Sequence, residues 1–205
     1  MILRNYDNCV VANQIVHFVA NMISQGAHTT FGDGQLTFKD IDGVIKKFGT
    51  IQYANFSQGS VTLAEKGTAD LGLVCGSSDV AVTYDDYNLG AKFDSNDIAY
   101  VSYEVTDTTY NEDNETFTRT IKKVFTAKND ITIKEIGFIS TGFWGRDTTS
   151  NTGVSSDWYS ALTYREVLET PVAVPKNSNF TLTFTSIVSA NPNKPADYTA
   201  SVIIE

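Results

Sequence analysis

The sequence predicts a mainly β chain, an antiparallel β-sandwich of jelly-roll or immunoglobulin-like type, preceded by one or two short N-terminal helices. Three observations predict it. Tyr and Phe are abundant (10 and 12) beside many Thr, Val and Ile, whereas Cys, Met and Trp number two each, a composition suited to pleated, half-buried surfaces. From about residue 60 the hydrophobic period falls towards two, and apolar runs alternate with turn-forming clusters to the C-terminus. Helical spacing is confined to the first fifty residues. A chain of 205 residues can bury a single core, so the expected division is residues 1–50 as a helical docking segment and residues 51–205 as the β-sandwich domain.

The elements follow in order. Val11, Ile15, Phe18 and Met22 recur at spacings of four, three and four, which places them on one helical face. Asn8 suits the N-cap and Gly26 the stop, and the apolar face is a candidate docking or oligomerising interface. Between Asp40 and Gly49 the acidic residues come first and the lysines last, the polarity a second short helix prefers. Strands are expected at Gly72–Cys75, Ile98–Thr106, Thr116–Ala127, Ile131–Ser140, Tyr159–Leu168, Phe180–Ser189 and Thr199–Ile204. Asp107 to Asn114 reads as the polar tip of a hairpin, because Asn and Asp hydrogen-bond their own backbone in turns. A second exposed loop, roughly Gly142 to Asp157, is long for a passive connection. With it come Phe143, Trp144 and Trp158, candidate contact residues whose large rigid faces stack on sugar rings or anchor a protein interface.

Charge and cysteine usage remove several function classes. A formal net charge of -9 repels the phosphate backbone that dominates nucleic-acid affinity, so no direct nucleic-acid partner is expected. The apolar stretch from Val10 to Ile23 is broken by Asn13, Gln14, His17 and Asn21, which speaks against a membrane span. The first residues lack a basic region followed by an apolar core, so no secretory signal is expected. Cys9 and Cys75 give no disulfide framework and read as small buried apolar residues.

Catalytic patterns are also missing. The two imidazoles, His17 and His28, fall on and just after the first predicted helix, and no Gly-x-Ser-x-Gly elbow is present. The Cys and His spacings do not match zinc sites. Asp33-Gly34 and Asp40-Ile41-Asp42-Gly43 lack the alternating ligands and closing Glu of a calcium loop. Gly72-Leu73-Val74-Cys75-Gly76 lacks the Gly-Lys-Ser/Thr ending of a phosphate loop. Asp85 and Asp86 remain as an isolated acidic pair, the basis of a competing hydrolase reading. The expectation is a non-enzymatic chain with no catalytic, cofactor or metal residues.

Residues 71–93 run from a short apolar strand through Gly76-Ser77-Ser78 to Asp85-Asp86-Tyr87-Asn88-Leu89-Gly90. Then come Thr132-Ile133-Lys134-Glu135-Ile136-Gly137-Phe138, Leu162-Thr163-Tyr164-Arg165-Glu166-Val167-Leu168 with Pro171-Val172-Ala173-Val174-Pro175, and Phe180-Thr181-Leu182-Thr183-Phe184. In this order the segments resemble a widespread group of tailed-bacteriophage virion proteins. The resemblance covers about residues 61–188 and leaves the N-terminus out. It implies a structural subunit of the particle, decorating the head or belonging to the collar or tail. Such a subunit is made in the host bacterial cytoplasm and acts through assembly with copies of itself and with other virion proteins. The competing reading from a different class is a carbohydrate-binding or host-adhesion module that meets surface glycans through the aromatic loop.

Within the motifs, strict alternation puts Glu135 on the face of Ile131, Ile133, Gly137 and Ile139. A carboxylate there needs a partner. Arg165 is the candidate, and a bidentate Glu135–Arg165 ion pair would pin the register of two neighbouring strands.

Overall fold

The computed structural model describes residues 37–48, 70–106, 109–113, 115–147, 157–189 and 197–205, so the stripe Val11, Ile15, Phe18 and Met22 lies outside the described residues. Among these described residues ten strands follow in chain order: β1 Thr37–Lys39, β2 Ile45–Phe48, β3 Gly72–Gly76, β4 Ile98–Val105, β5 Thr109–Asn111, β6 Thr116–Ala127, β7 Ile131–Asp147, β8 Asp157–Val174, β9 Asn179–Ser189 and β10 Asp197–Ile204. The chain is mainly β, and no helix occurs among the described residues. All pairings are antiparallel and form two sheets. In the first, β7 carries β8 on one side and both β3 and β2 on the other, with β1 beyond β2. In the second the order is β10-β9-β6-β4, with β5 continuing the edge that β4 begins. The expected polar hairpin tip is therefore partly strand, because Thr109–Asn111 folds back on the start of β6.

Two expectations are corrected. The stretch expected as a helix from Asp40 to Gly49 is, over its described residues 40–48, a turn followed by β2. The Asp40 carboxylate accepts the amides of Asp42 (3.0 Å) and Val44 (2.8 Å), a local alternative to helical bonding open to short acidic side chains. Gly43 takes a φ of 78°, outside the helical region, and the residues beyond it pair with β1 and β7. Lys46, expected in a helix end, instead lies 3.6 Å from Asp40 and over the Tyr159 ring at 4.6 Å. The second correction concerns the aromatic loop. β7 continues to Asp147 and β8 starts at Asp157, so Phe143 stands opposite Tyr159 and Trp144 opposite Trp158 in the ladder. Aromatic residues favour strands, and here they extend the β7–β8 pairing into the region read as loop.

The core is built by both sheets. Leu73, Cys75, Ile133, Ile136, Phe138 and Tyr164 from the first meet Ile98, Ile121, Phe125, Phe180, Leu182 and Phe184 from the second in one buried cluster. Phe184 ties the two together, 5.6 Å from the Phe138 ring and 4.9 Å from Tyr164 in an edge-on arrangement. Ring pairs of this kind add about 0.5–1.5 kcal/mol each beyond the area they bury. Cys75 is a free, buried thiol, and burial pushes its pKa up.

One core position is occupied by a cation. Lys123 shares the inward face of β6 with Ile121 and Phe125 and is fully buried. Its ammonium donates to the Leu71 carbonyl and lies 5.1 Å from the Phe125 ring centre. Burial pushes its pKa down to about 8 from 10.5, against the pull of Cys75 and Asp70. Between those values the unfolded chain binds more protons than the folded one, so unfolding free energy rises with pH across that window. Below about pH 8 the full cost of burying the charge is present. Lys123→Met is expected to raise stability at pH 7 by about 1–3 kcal/mol and to remove the upward slope between pH 8 and 10.5. Denaturant titrations of both proteins across that range measure the difference.

Candidate functional site

Three of the motif segments, residues 71–93, 132–138 and 162–168, meet on the outer face of the first sheet, opposite the shared core, while residues 180–184 belong to β9 of the second sheet. Their meeting depends on a break in strand alternation. Ile131 and Ile133 face the core shared by the sheets, and so do Ile136 and Phe138, so the phase steps by one residue around Lys134. The β7–β8 register shifts at the same place, between Ile133 and Glu135. Glu135 is therefore not on the face of Ile131 and Ile133, as strict alternation had placed it. It shares the opposite face with Gly137 and with Ile139, which packs in a second small cluster with Val74, Leu89 and Leu162. A second shift, between Phe138 and Ile139, sends Tyr164 to the main core and leaves Leu162 in the smaller cluster.

On this outer face Glu135 and Arg165 are in direct contact, Nε to Oε2 at 2.8 Å, with Glu135 unexposed and Arg165 nearly so. Gly137 stands opposite Arg165 in the ladder, so the two charges are diagonal neighbours on adjacent strands. Arg165 does not form the expected bidentate pair. Its guanidinium divides its donors: Nε to Glu135, Nη1 to Asp86 at 2.6 Å, and Nη2 to the Val80 carbonyl at 2.9 Å. Glu135 in turn accepts the amides of Ala91 (2.8 Å), Gly90 (3.1 Å) and Ser78 (3.4 Å). The segment from Ser77 to Ala91 is thus fastened at both ends by Glu135 and in its middle by Arg165.

The segment also fastens itself. Thr83 donates its amide (3.0 Å) and hydroxyl (2.6 Å) to Asp86, and the Ser78 hydroxyl accepts the Val80 amide at 3.2 Å. These are turn bonds of the kind Ser, Thr and Asp make locally. At its base Ser77 donates to the Ala91 carbonyl and Phe93 to that of Cys75, at 2.9 and 3.0 Å. Close approach is paid for with glycine: a Cβ on Gly137 would overlap Leu89 Cδ1, and one on Gly76 would overlap the Ala91 carbonyl oxygen. The turn between β1 and β2 closes over the far side, where Asn88 donates to the Ile41 carbonyl at 3.0 Å and the Tyr87 ring lies against Gly43.

Electrostatics match this geometry. Burial works against the Asp86 carboxylate, yet its bonds from Thr83 and Arg165 outweigh it and hold the pKa below the usual value. Burial likewise pulls the Arg165 pKa down, and Asp86 and Glu135 more than restore it. The acidic pair read from the sequence is split in role. Asp86 is engaged by Arg165 and Thr83, while Asp85 is exposed. Asp94 and Asp97 serve a turn, with Asp94 accepting the Asn96 amide and Asp97 the Asp94 amide. Among the described residues no group of three or more His, Cys, Asp and Glu is placed to hold a metal ion.

The fastened segment presents Val80, Tyr84 and Tyr87, with Val44 and Ile45 exposed on the adjoining turn and strand. Asp86 as the second partner of Arg165 was absent from the sequence reading, although the Thr83-x-x-Asp86 spacing marks a turn that holds a carboxylate in place. The seat of Leu89 on Gly137 left no signal beyond the glycine itself. No protein-family model, no curated protein and no solved structure matches the chain.

Removing one member of a buried, paired set strands the others. Arg165→Ala is expected to cost about 3–5 kcal/mol, with amide exchange rising first across residues 77–91. Arg165→Lys is expected to recover little of that loss, since one ammonium cannot serve three diverging acceptors. The Asp86 contribution is fully present above the ordinary carboxylate pKa of 3.8 and is lost as pH falls through its lowered folded value. Protection from hydrogen exchange, taken relative to the intrinsic rate at each pH, should therefore fall in residues 77–91 below about pH 4 before the main core opens. Uniform exchange across the chain at that pH would contradict this order.

Proposed function

We propose that this chain is a non-enzymatic structural subunit of a tailed-bacteriophage particle, a β-sandwich of the head-decorating, collar or tail-associated kind that works by assembly with itself and with other virion proteins. The sandwich reading is supported by a single buried cluster to which both sheets contribute. One observation carries the functional reading. Three of the segments that resemble phage virion proteins, residues 71–93, 132–138 and 162–168, converge on one saturated set of charges: Glu135 meets four donors, Arg165 three acceptors, and Asp86 both Thr83 and Arg165. Groups so engaged hold a surface in shape rather than transfer protons or attack a substrate. That surface, with Val80, Tyr84 and Tyr87, has the rigid aromatic character of protein interfaces.

A second reading is contact with a host surface glycan. Tyr84 and Tyr87, at 58% and 43% exposure beside Asp85, offer the stacking faces and acceptor that sugar rings use. Purified phage particles disassembled and probed with antibody to this chain should contain it in a fixed copy number, and Arg165→Ala should lower its incorporation. Absence from intact particles overturns the virion reading. Glycan-array binding lost on Tyr84→Ala would favour the second one.

A further inference from the structure

The four lateral edges of the two sheets are not alike. The β4 edge bulges between Tyr100 and Ser102 and breaks before β5. The β8 edge carries Glu166, Glu169 and Pro171 and three register shifts. On the other side of β7, β3 is only five residues long and is bridged through Gly76 to Lys92, and β1 has three residues. Bulges, charges, proline and shortness are the devices that keep strand edges from pairing with other chains. β10 has no bulge and no proline and is not short, and the one charge on it, Asp197, stands at its first position. It pairs with β9 over eight consecutive positions without a register shift, and from Asp197 to Glu205 it contains no proline, lysine or arginine.

The direction of its amides follows from one hydrogen bond. Glu205 donates to the Asn179 carbonyl on β9 at 3.0 Å. Successive amides on a strand point to opposite sides, so those of Ser201 and Ile203 also face β9, while those of Ala200, Val202 and Ile204 face outward. Among the described residues no strand pairs with that outer side. Ile203 and Ile204 beside it are exposed, at 59% and 42%.

We propose that β10 is a dimerisation edge, pairing antiparallel with β10 of a second copy about a two-fold axis at Val202 and joining the two second sheets into one. This deepens the self-assembly part of the function proposed above. It rests on that reading only in supposing that the chain meets its own copies.

A second copy fits for three reasons. With Val202 facing the partner's Val202, Ala200 faces the partner's Ile204, so the outward amides of Ala200, Val202 and Ile204 are matched, that of Tyr198 lying outside the paired stretch, and about six backbone hydrogen bonds form. Ser201 faces the partner's Ile203, which covers an exposed apolar side chain with a small one. Thr199 faces the partner's Glu205, so no like charges stand opposite each other, a condition that matters for a chain of net charge -9. A two-fold contact of one strand with itself closes after two copies and does not propagate.

Sedimentation velocity of the full chain tests the proposal, with a concentration-dependent dimer expected. Val202→Pro removes one outward amide and leaves the β9 ladder its donors, a position where edge strands accept proline. It is expected to abolish the dimer while circular dichroism and Tm stay near those of the parent. If that variant fails to fold, the exposed double substitution S201K/I203K, which sets lysines opposite lysines, is expected to give the same loss. In a Cys9→Ser background, Val202→Cys should cross-link to a covalent dimer on mild oxidation, and Thr199→Cys should not. A parent that stays monomeric at every concentration overturns the pairing. So does a dimer indifferent to both edge variants, or equal cross-linking at 199 and 202. A monomer that still incorporates into particles rejects the pairing alone, whereas a β10 dimer absent from particles rejects the virion reading alone.

Discussion

A carboxylate with no solvent exposure is tolerable only where donors fill its lone pairs, because the cost of desolvating it exceeds what one partner returns. Glu135 meets that condition by drawing donors from residues 78, 90 and 91 and from Arg165 on the neighbouring strand. The same Arg165 reaches Asp86 and Val80, so no member of the set can leave without stranding another. Much of the local architecture follows. β7 steps out of phase near Lys134 so that Glu135 faces outward, Gly137 lacks a side chain so that Leu89 can lie on the sheet, and a fifteen-residue segment with no strand of its own, residues 77–91, has a defined shape.

Most strands were legible from periodicity. Thr116–Ala127 matches its expected bounds, and six other strands were found within one or two residues or as shorter versions of themselves. Alternation of side chains is a local property and survives translation into structure. The Glu135–Arg165 contact was legible for a different reason: a charged residue between apolar neighbours needs a partner, and the motif order supplied an arginine. What alternation cannot reveal is where it is interrupted. The phase step at Lys134 and the register shift beside Thr163 arise from the pairing of two long strands, and they decided which face each charge occupies.

The errors share that origin. Asp40 to Gly49 has helical charge polarity, yet the Asp40 carboxylate caps a turn and the sheet claims the residues beyond it. The Gly, Ser and Asn content after Gly142 suggested a loop, and β7–β8 pairing carried the strands through its flanks. Lys123 could not be recognised as buried from a strand that reads Thr-Ile-Lys-Lys-Val-Phe, since one of two adjacent lysines must face inward and only the register says which. Its carbonyl partner lies at Leu71, 52 residues away in sequence. The molecule thus carries a polar tie within its core and another on its outer face, each joining segments remote along the chain.

The clasp over the first sheet has a consequence for the order in which the chain folds. Its bonds span 45 residues from Gly90 to Glu135, 79 from Asp86 to Arg165 and 85 from Val80 to Arg165. None can form until β7 and β8 have settled into their shifted register, because that register brings the carboxylate and the guanidinium together. Contacts of such long span are late events, after loop closure has been met by nearer pairings. Interactions absent from the transition state act mainly on the rate of unfolding. The clasp therefore acts as a kinetic brake: it does little to hasten the chain into its native form and much to lengthen the time it stays there.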